Sequence, residues 1–381
     1  MRILLLSNIP PQSVGGAEMQ ALFLARRWAE TGNKVTIAGH SNIGRSDNNI
    51  SILHIPTIRK TRLLRAVSYL LSTAWLLWKQ RHNYDVIYCR FLKEQAFAAS
   101  LAKIIFRLKQ PVIACPECAA IDGDIQYLLA SPFKTIWIKV LNAGLTTVNI
   151  ISRQIEAEIK GLELKKISLS RIPNGVSLPV LTPIHKKTDG ITPLNGVFVG
   201  RLVEQKGVDV LLKAAHLLKL TGHLFSIKII GDGPLRSTLE ETSRSYGISD
   251  CIEFKGLLSQ NEVAIQLEEA DLFVLPSRFE GLPVALLEAL AYSLPAIATK
   301  VSGSEEIIDS SIGWLINTND PQELATALLL AIKMGRPELQ KMGEKAREKA
   351  EREYDIKSVA HRYERLFHDL LNTDSSTSAE R

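Results

Sequence analysis

Short apolar runs alternate with longer stretches of helical periodicity along most of this chain. Residues 1–6 form the first run, and a helical pattern over 17–31 follows, closed by Gly32. KVTIAG (34–39), ISILHIP (50–56), DVIYCR (85–90), PVIAC (111–115) and TTVNIIS (146–152) predict further strands. Between them the periodicity predicts helices over 61–82, 96–108 and 132–143, with a short one at 153–162. The alternation then restarts. GVFVGRL (196–202), FSIKIIG (225–231), CIEFKGLL (251–258), DLFVL (271–275), PAIAT (295–299) and GWLI (313–316) read as strands. Helices are predicted at 208–220, 235–246 and 260–269, another is opened by Pro283, and two more lie near the C-terminus. Most strand runs are apolar throughout, as in strands covered on both faces. The fold class is therefore α/β, with two doubly wound parallel sheets.

The break between the halves is marked by Pro173-Asn174-Gly175, with Pro179 and Pro183 soon after and a polar linker over 182–194. A chain of 381 residues is long for one core. Domains over 1–173 and 174–355 are expected, with a terminal helix near 356–371 and a Ser/Thr-rich, disordered tail over 372–381. The first apolar run lacks the length and cleavage site of a signal peptide, and no run reaches a membrane span. Cys115 and Cys118 form a lone C-x-x-C pair, read as two small thiols rather than a metal or redox site. A reducing, cytoplasmic setting is the simplest one.

Charge changes the picture of the first half. Residues 1–180 hold 23 Lys and Arg against 11 Asp and Glu, whereas residues 181–381 hold 23 against 29. In the helix over 61–82 a polar stripe of Arg62, Arg65, Ser68, Ser72 and Lys79 borders a wide apolar face. Arg59 and Lys60 precede it, Arg81 follows, and Trp75 and Trp78 lie within it. Two readings stand: a helix packed on the sheet with a solvated basic edge, or a basic, Trp-bearing surface that rests on anionic headgroups.

Candidate chemistry concentrates in PSRFEGLPVALLEALAYSLPAIA (276–298). A strand enters it, a loop carries Glu280 and Gly281, and a helix begins near Pro283. Residues Gly281, Leu282, Pro283 and Val284 stand where a helix N-terminus offers unpaired N–H groups to a diphosphate. Glu280 and Glu288 leave one carboxylate on each side of that anion, an arrangement suited to a sugar nucleotide. Gly200 and Arg201 end the first strand of the second half, with Lys206 a few residues on. Two cations at that edge suit a diphosphate and the charge of a departing one. Gly15 and Gly16 precede the first helix, either for close approach to a phosphate or sugar or as a plain loop pair. Gly231-Asp232-Gly233-Pro234 lacks the third glycine of a dinucleotide fingerprint and reads as a turn.

Set together, GGAE (15–18), IPNGV (172–176), VGRLVEQKGVDVLLKA (199–214), IIGDGPL (229–235) and FEGLPVALLEALAYSLPAIAT (279–299) resemble, in order, blocks of the retaining GT-B glycosyltransferases of glycosyltransferase family 4. The resemblance covers nearly the whole chain, and its last block contains an E-x7-E pattern. It implies two Rossmann-like domains facing an interdomain cleft, with the terminal helix crossing back to the N-terminal domain. It also implies transfer of a sugar from a nucleotide-sugar donor to a glycan or lipid-linked acceptor, with retention and without metal or other cofactor. Arg201 and Lys206 would hold the donor diphosphate, Glu280 the donor sugar and Glu288 the ribose, with Gly16 leaving room for donor and acceptor. An anionic membrane surface is the expected further partner, at the inner face of the cell membrane, and nucleic acid is not. Many relatives carry a histidine in the loop after the strand at 111–115. CPECAAIDGD (115–124) has none and leaves Glu117 or Asp124 for that polar role. A GT-B epimerase or phosphorylase, and a sugar-nucleotide-binding protein without turnover, share the same motifs.

Overall fold

The computed structural model describes residues 1–8, 15–40, 49–58, 60–119, 123–165, 167–181 and 193–379. The loop at 9–14, Arg59, Asp122, the linker over 182–192 and residues 380–381 lie outside them. Two compact units are present: Met1–Gly175 with Ile356–Arg381, and Val176–Asp355.

The first unit runs β1 (Arg2–Leu6), α1 (Gly16–Glu30), β2 (Lys34–Gly39), β3 (Ile50–His54), α2 (Arg62–Gln80), β4 (Val86–Arg90) and α3 (Glu94–Phe106). It continues with β5 (Val112–Cys115), α4 (Asp124–Leu129), α5 (Lys134–Gly144), β6 (Thr147–Ile150), α6 (Arg153–Lys160) and β7 (Ser168–Arg171). The strands form one parallel sheet in the order β3-β2-β1-β4-β5-β6-β7. β1 is an interior strand, pairing Leu4 with Thr36 on one side and with Ile87 on the other. Ile3 to Leu6 are consequently buried, as continuous apolar runs demand. Helix starts follow local chemistry: Thr61 Oγ1 accepts from Leu64 N at 3.2 Å to open α2, and Ser152 caps α6.

The second unit runs β8 (Leu194–Val199), a 3-10 turn (Glu204–Lys206), α7 (Val208–Lys219), β9 (Phe225–Ile230), α8 (Arg236–Ser245), β10 (Ile252–Gly256) and α9 (Gln260–Glu269). Then come β11 (Leu272–Leu275), α10 (Val284–Ala291), β12 (Ala296–Thr299), α11 (Ser304–Ile307), β13 (Gly313–Ile316), α12 (Pro321–Met334) and α13 (Arg336–Lys349). Its parallel sheet has the order β10-β9-β8-β11-β12-β13. A capping box of Ser259 and Glu262 starts α9, and Asp320 with Pro321 starts α12.

The last helix, α14 (Ile356–Ala379), belongs to the first unit. Tyr363 and Phe367 join Trp28 and Tyr88 in an aromatic cluster with edge-on and tilted rings, and Trp28 Nε1 donates to Ala360 O at 3.2 Å. Glu364 accepts from Thr31 and Asn33 beside it.

Some elements differ from the pattern-based expectation. β7 lies where punctuation alone is expected, because an edge strand of sequence SLSR carries little apolar signal. α4 lies in what reads as loop, being only six residues long. α14 carries on to Ala379, past the expected start of a disordered tail at 372. The segment contains neither glycine nor proline to end the helix.

Candidate functional site

In the second unit the strand order reverses at β8. Its successor β9 lies on one side and β11 on the other. Loops leaving the carboxyl ends of β8 and β11 therefore border the crevice where doubly wound sheets bind ligands. These loops are 200–207 and 276–283, so Arg201, Lys206 and Glu280 come to one edge of one sheet.

The two loops are stitched together by main-chain and side-chain bonds. Arg278 N donates to Gln205 O at 2.7 Å, and Gln205 Nε2 donates to Phe279 O at 3.0 Å. The Arg278 guanidinium bridges both Asp209 oxygens at 2.9 and 2.8 Å and also reaches Glu204 O. Burial works to raise the Asp209 carboxyl, but the hydrogen bonds and charge of Arg278 outweigh it and hold the group below its ordinary value. Gly207 closes the turn at φ +64°, and a Cβ there would lie 2.1 Å from Pro276 O. Only glycine meets both the left-handed backbone and that approach.

This stitching delivers Lys206 to Glu280. Lys206 Nζ lies 2.5 Å from Glu280 Oε1, and Ser277 Oγ donates to the same oxygen at 2.6 Å. Glu280 is 5 % exposed. Its Oε2 has no hydrogen-bond partner among the described residues. One oxygen thus fixes the side chain and the other is left to accept. Arg201 is exposed, and its guanidinium is unpaired among the described residues.

Gly281, Leu282, Pro283 and Val284 are all buried. Pro283 is the N-cap of α10 rather than its first helical residue, with φ −70° and ψ 111°, and no side chain caps this helix. Its first-turn N–H groups keep the positive end of the helix open. Gly303 backs this loop: at φ +77°, a Cβ would lie 2.3 Å from Gly281 O. Glu288, one turn into α10, is half-buried, and its carboxyl has no hydrogen-bond or ion-pair partner among the described residues. Lost solvation pushes its carboxyl up to about 7. The Gly231-Asp232-Gly233 turn buttresses the β8 loop, with Leu202 N donating to Asp232 O at 2.9 Å and Leu235 N to Leu202 O at 3.2 Å.

The remaining candidates belong to the first unit. Gly15 is the N-cap of α1 in an extended conformation, and Gly16 is its exposed first residue. Asp124 is fully buried, and its Oδ2 accepts from Leu92 N at 2.9 Å and Glu117 N at 3.1 Å. Glu117 pairs with Arg90, Nη2 to Oε1 at 2.5 Å. Burial pushes the Glu117 carboxyl up to about 7, against the opposing charge of Arg90 and with help from Asp124. Arg90 ends β4, is wholly buried, and also donates to Tyr88 Oη at 3.0 Å and Asn174 Oδ1 at 3.2 Å. Sequence reading passes over Arg90 and Ser277. An arginine closing an otherwise apolar strand is the signal for the first, since a buried cation requires a partner. The four cysteines are free thiols, and no group of three or more His, Cys, Asp or Glu among the described residues is placed to hold a metal ion. Among the described residues no helix is long and apolar enough to cross a membrane.

Two family models match the chain: Glycosyltransferase Family 4 over residues 14–179, and Glycosyl transferases group 1 over residues 192–349. A putative colanic acid biosynthesis glycosyltransferase, WcaL of Escherichia coli K12, is 35% identical over 202 residues, 51% of this chain and 49% of that protein. The chain spans about half the length of the first curated relatives it matches. A UDP-Gal:alpha-D-GlcNAc-diphosphoundecaprenol alpha-1,3-galactosyltransferase of Escherichia coli is 28% identical over 304 residues, 74% of this chain and 75% of that protein. Among solved structures, a sucrose-phosphate synthase from Thermosynechococcus elongatus superposes with a TM-score of 0.79 at 19% identity, over 98% of this chain and 99% of the other. HepE of Anabaena in complex with UDP superposes with a TM-score of 0.75 at 15% identity, over 97% and 99% of the two chains. The fold is GT-B: two Rossmann-like α/β domains.

Proposed function

The chain belongs to the group 1, family 4 glycosyltransferases, and from that premise we propose that it moves a sugar from a nucleotide-sugar donor to a lipid-linked glycan acceptor in surface polysaccharide or glycolipid assembly. The observation that carries this reading is the Glu280 carboxylate. Lys206 and Ser277 hold one of its oxygens, the other has no partner among the described residues, and Arg201, unpaired among the described residues, lies on the same sheet edge as an uncapped helix start. In this reading Glu280 Oε2 accepts from a hydroxyl of the donor sugar. The amides of Gly281 and Val284, with Arg201 and Lys206, hold the diphosphate, and Glu288 accepts from the ribose. Gly200 lets the β8 loop turn toward the phosphates.

Transfer proceeds with retention. The bond from the anomeric carbon to the leaving phosphate oxygen breaks, and the acceptor oxygen bonds to that carbon on the same face. Its proton passes to the leaving phosphate. Arg201 and Lys206 supply the positive charge that steadies the departing diphosphate, so the step needs no metal.

Uridine diphosphate is the first donor base to test, because HepE was solved with UDP and the related galactosyltransferase is named for UDP-Gal. That galactosyltransferase also names a diphosphoundecaprenol carrier, which supports a lipid-linked acceptor. The test incubates the chain with labelled UDP-sugars and an undecaprenol-diphosphate glycan, then assigns the anomeric configuration of the product by NMR. A labelled lipid with the donor's configuration supports the reading. Inverted product overturns retention. Donor converted to an epimer or a sugar phosphate, or no turnover with any nucleotide sugar, overturns transfer.

A further inference from the structure

α2 presents an apolar side to water. It packs Tyr69, Ala74 and Leu77 inward and turns Leu63 (74 % exposed), Val67, Leu71 and Trp75 (57 %) outward. These four recur every fourth residue and so form one slowly drifting stripe. A helix on a soluble sheet ordinarily shows the opposite pattern. The stripe continues onto α3: Trp75 lies 5.0 Å from Trp78 between ring centroids, and Trp78 lies 6.0 Å from Phe106, next to the 59 % exposed Ile105. Cations border it. Arg65 and Lys79 are exposed on α2, Arg81 covers the Trp78 ring at 5.0 Å, and Arg107 and Lys109 follow Phe106. α2 carries no acidic residue.

We propose that this face inserts into the interface of an anionic bilayer, with Leu71 and Trp75 below the headgroups and the bordering cations at phosphate level. The proposal rests on the lipid-linked acceptor and names the surface that would bring the chain to it. Charge selects the occupant. A second copy on a two-fold axis would set these cations against one another, whereas anionic headgroups neutralise them and accept the apolar side chains as well. It also differs from a basic edge resting on headgroups, since insertion of apolar surface survives salt and simple charge pairing does not.

Flotation of the full chain tests this, with vesicles of phosphatidylcholine alone and of phosphatidylcholine mixed with phosphatidylglycerol, at low and high salt. The chain is expected to float with the mixed vesicles and to keep part of that binding at high salt. Leu71→Ser with Trp75→Ser should lower partitioning at least about tenfold at both salts. Arg65→Gln with Lys79→Gln should lower it at low salt alone. Brominated lipid should quench tryptophan emission of the unaltered protein, and Trp75→Phe should remove most of that quenching, which needs no disruptive change. Equal recovery with both vesicle types, no recovery with either, or no quenching overturns the proposal. So does a dimer that the Leu71/Trp75 pair of changes dissociates. Transfer to a water-soluble acceptor is measured alongside. The Leu71/Trp75 variant should retain it, and a protein that floats but transfers to no acceptor fails the functional reading while leaving this surface standing.

Discussion

The two sheets share one strand order, β7 being an extra edge strand of the first, and their carboxyl edges are finished differently. In the first unit, β4 ends in Arg90, whose charge is spent inside the protein on Glu117, Tyr88 and Asn174. Asp124 likewise spends one oxygen on two main-chain amides. In the second unit, among the described residues, a comparable set of charges is left open: Glu280 keeps an oxygen, Arg201 is unpaired, and no side chain caps α10. A doubly wound sheet therefore supplies an edge, and the side chains decide whether that edge holds itself together or waits for a ligand.

The largest effect expected from breaking this contrast is on stability. Arg90→Met leaves Glu117 and its neighbours buried without a cation and should cost about 3–5 kcal/mol. Urea unfolding should show a clearly lowered midpoint, and adding Glu117→Leu should recover most of it. A small shift for Arg90→Met would mean that the first unit's edge is not self-satisfied as described.

Next in size is Gly207→Ala. The new Cβ meets Pro276 O and the backbone must hold φ +64°, at about 1–3 kcal/mol of strain. The strain separates the loop of Lys206 from that of Glu280, so transfer should fall roughly tenfold while the melting temperature drops by a few degrees. Unchanged kinetics would show that the stitched loops do not position the site.

A smaller effect concerns pH. The Glu288 carboxyl is raised from 4.5 to about 7 in the folded protein. Folding therefore retains a proton that the unfolded chain releases, and Glu288 costs stability progressively as pH rises from about 4.5 to 7. A bound ribose favours the ionised, accepting form. Nucleoside diphosphate affinity should therefore rise as pH passes through about 7, and Glu288→Gln should flatten that slope. Calorimetric titration across this range checks it, and an equal slope in wild type and variant would remove Glu288 from the ribose site.

Much of this was legible in the sequence. Apolar runs marked nearly every central strand, because strands covered on both faces carry no polar alternation. Arg201, Lys206 and the E-x7-E spacing marked the loops of the second unit. Where the signal is weak, reading falls short. β7 is an edge strand with two polar serines, and α4 is too short for periodicity. The outward side of α2 was illegible for a different reason. A helix apolar nearly all round does not say which apolar side meets the sheet, and only packing answers that. Arg90 was overlooked because a cation ending a strand reads as the start of a loop. Its partner Glu117 is 27 residues away in sequence and meets it only through the pairing of β4 with β5.

The central claim is that Glu280, fixed by Lys206 and Ser277, grips the donor sugar. The most direct test is kcat/KM for sugar transfer by Glu280→Gln against the unaltered chain, with melting temperature recorded for both. Glutamine keeps the shape but removes the charge that pairs with Lys206 and accepts from the sugar. A loss on the order of 10²–10³-fold with melting within a few degrees is predicted. A rate within about threefold of the unaltered chain, with the fold intact, would contradict it.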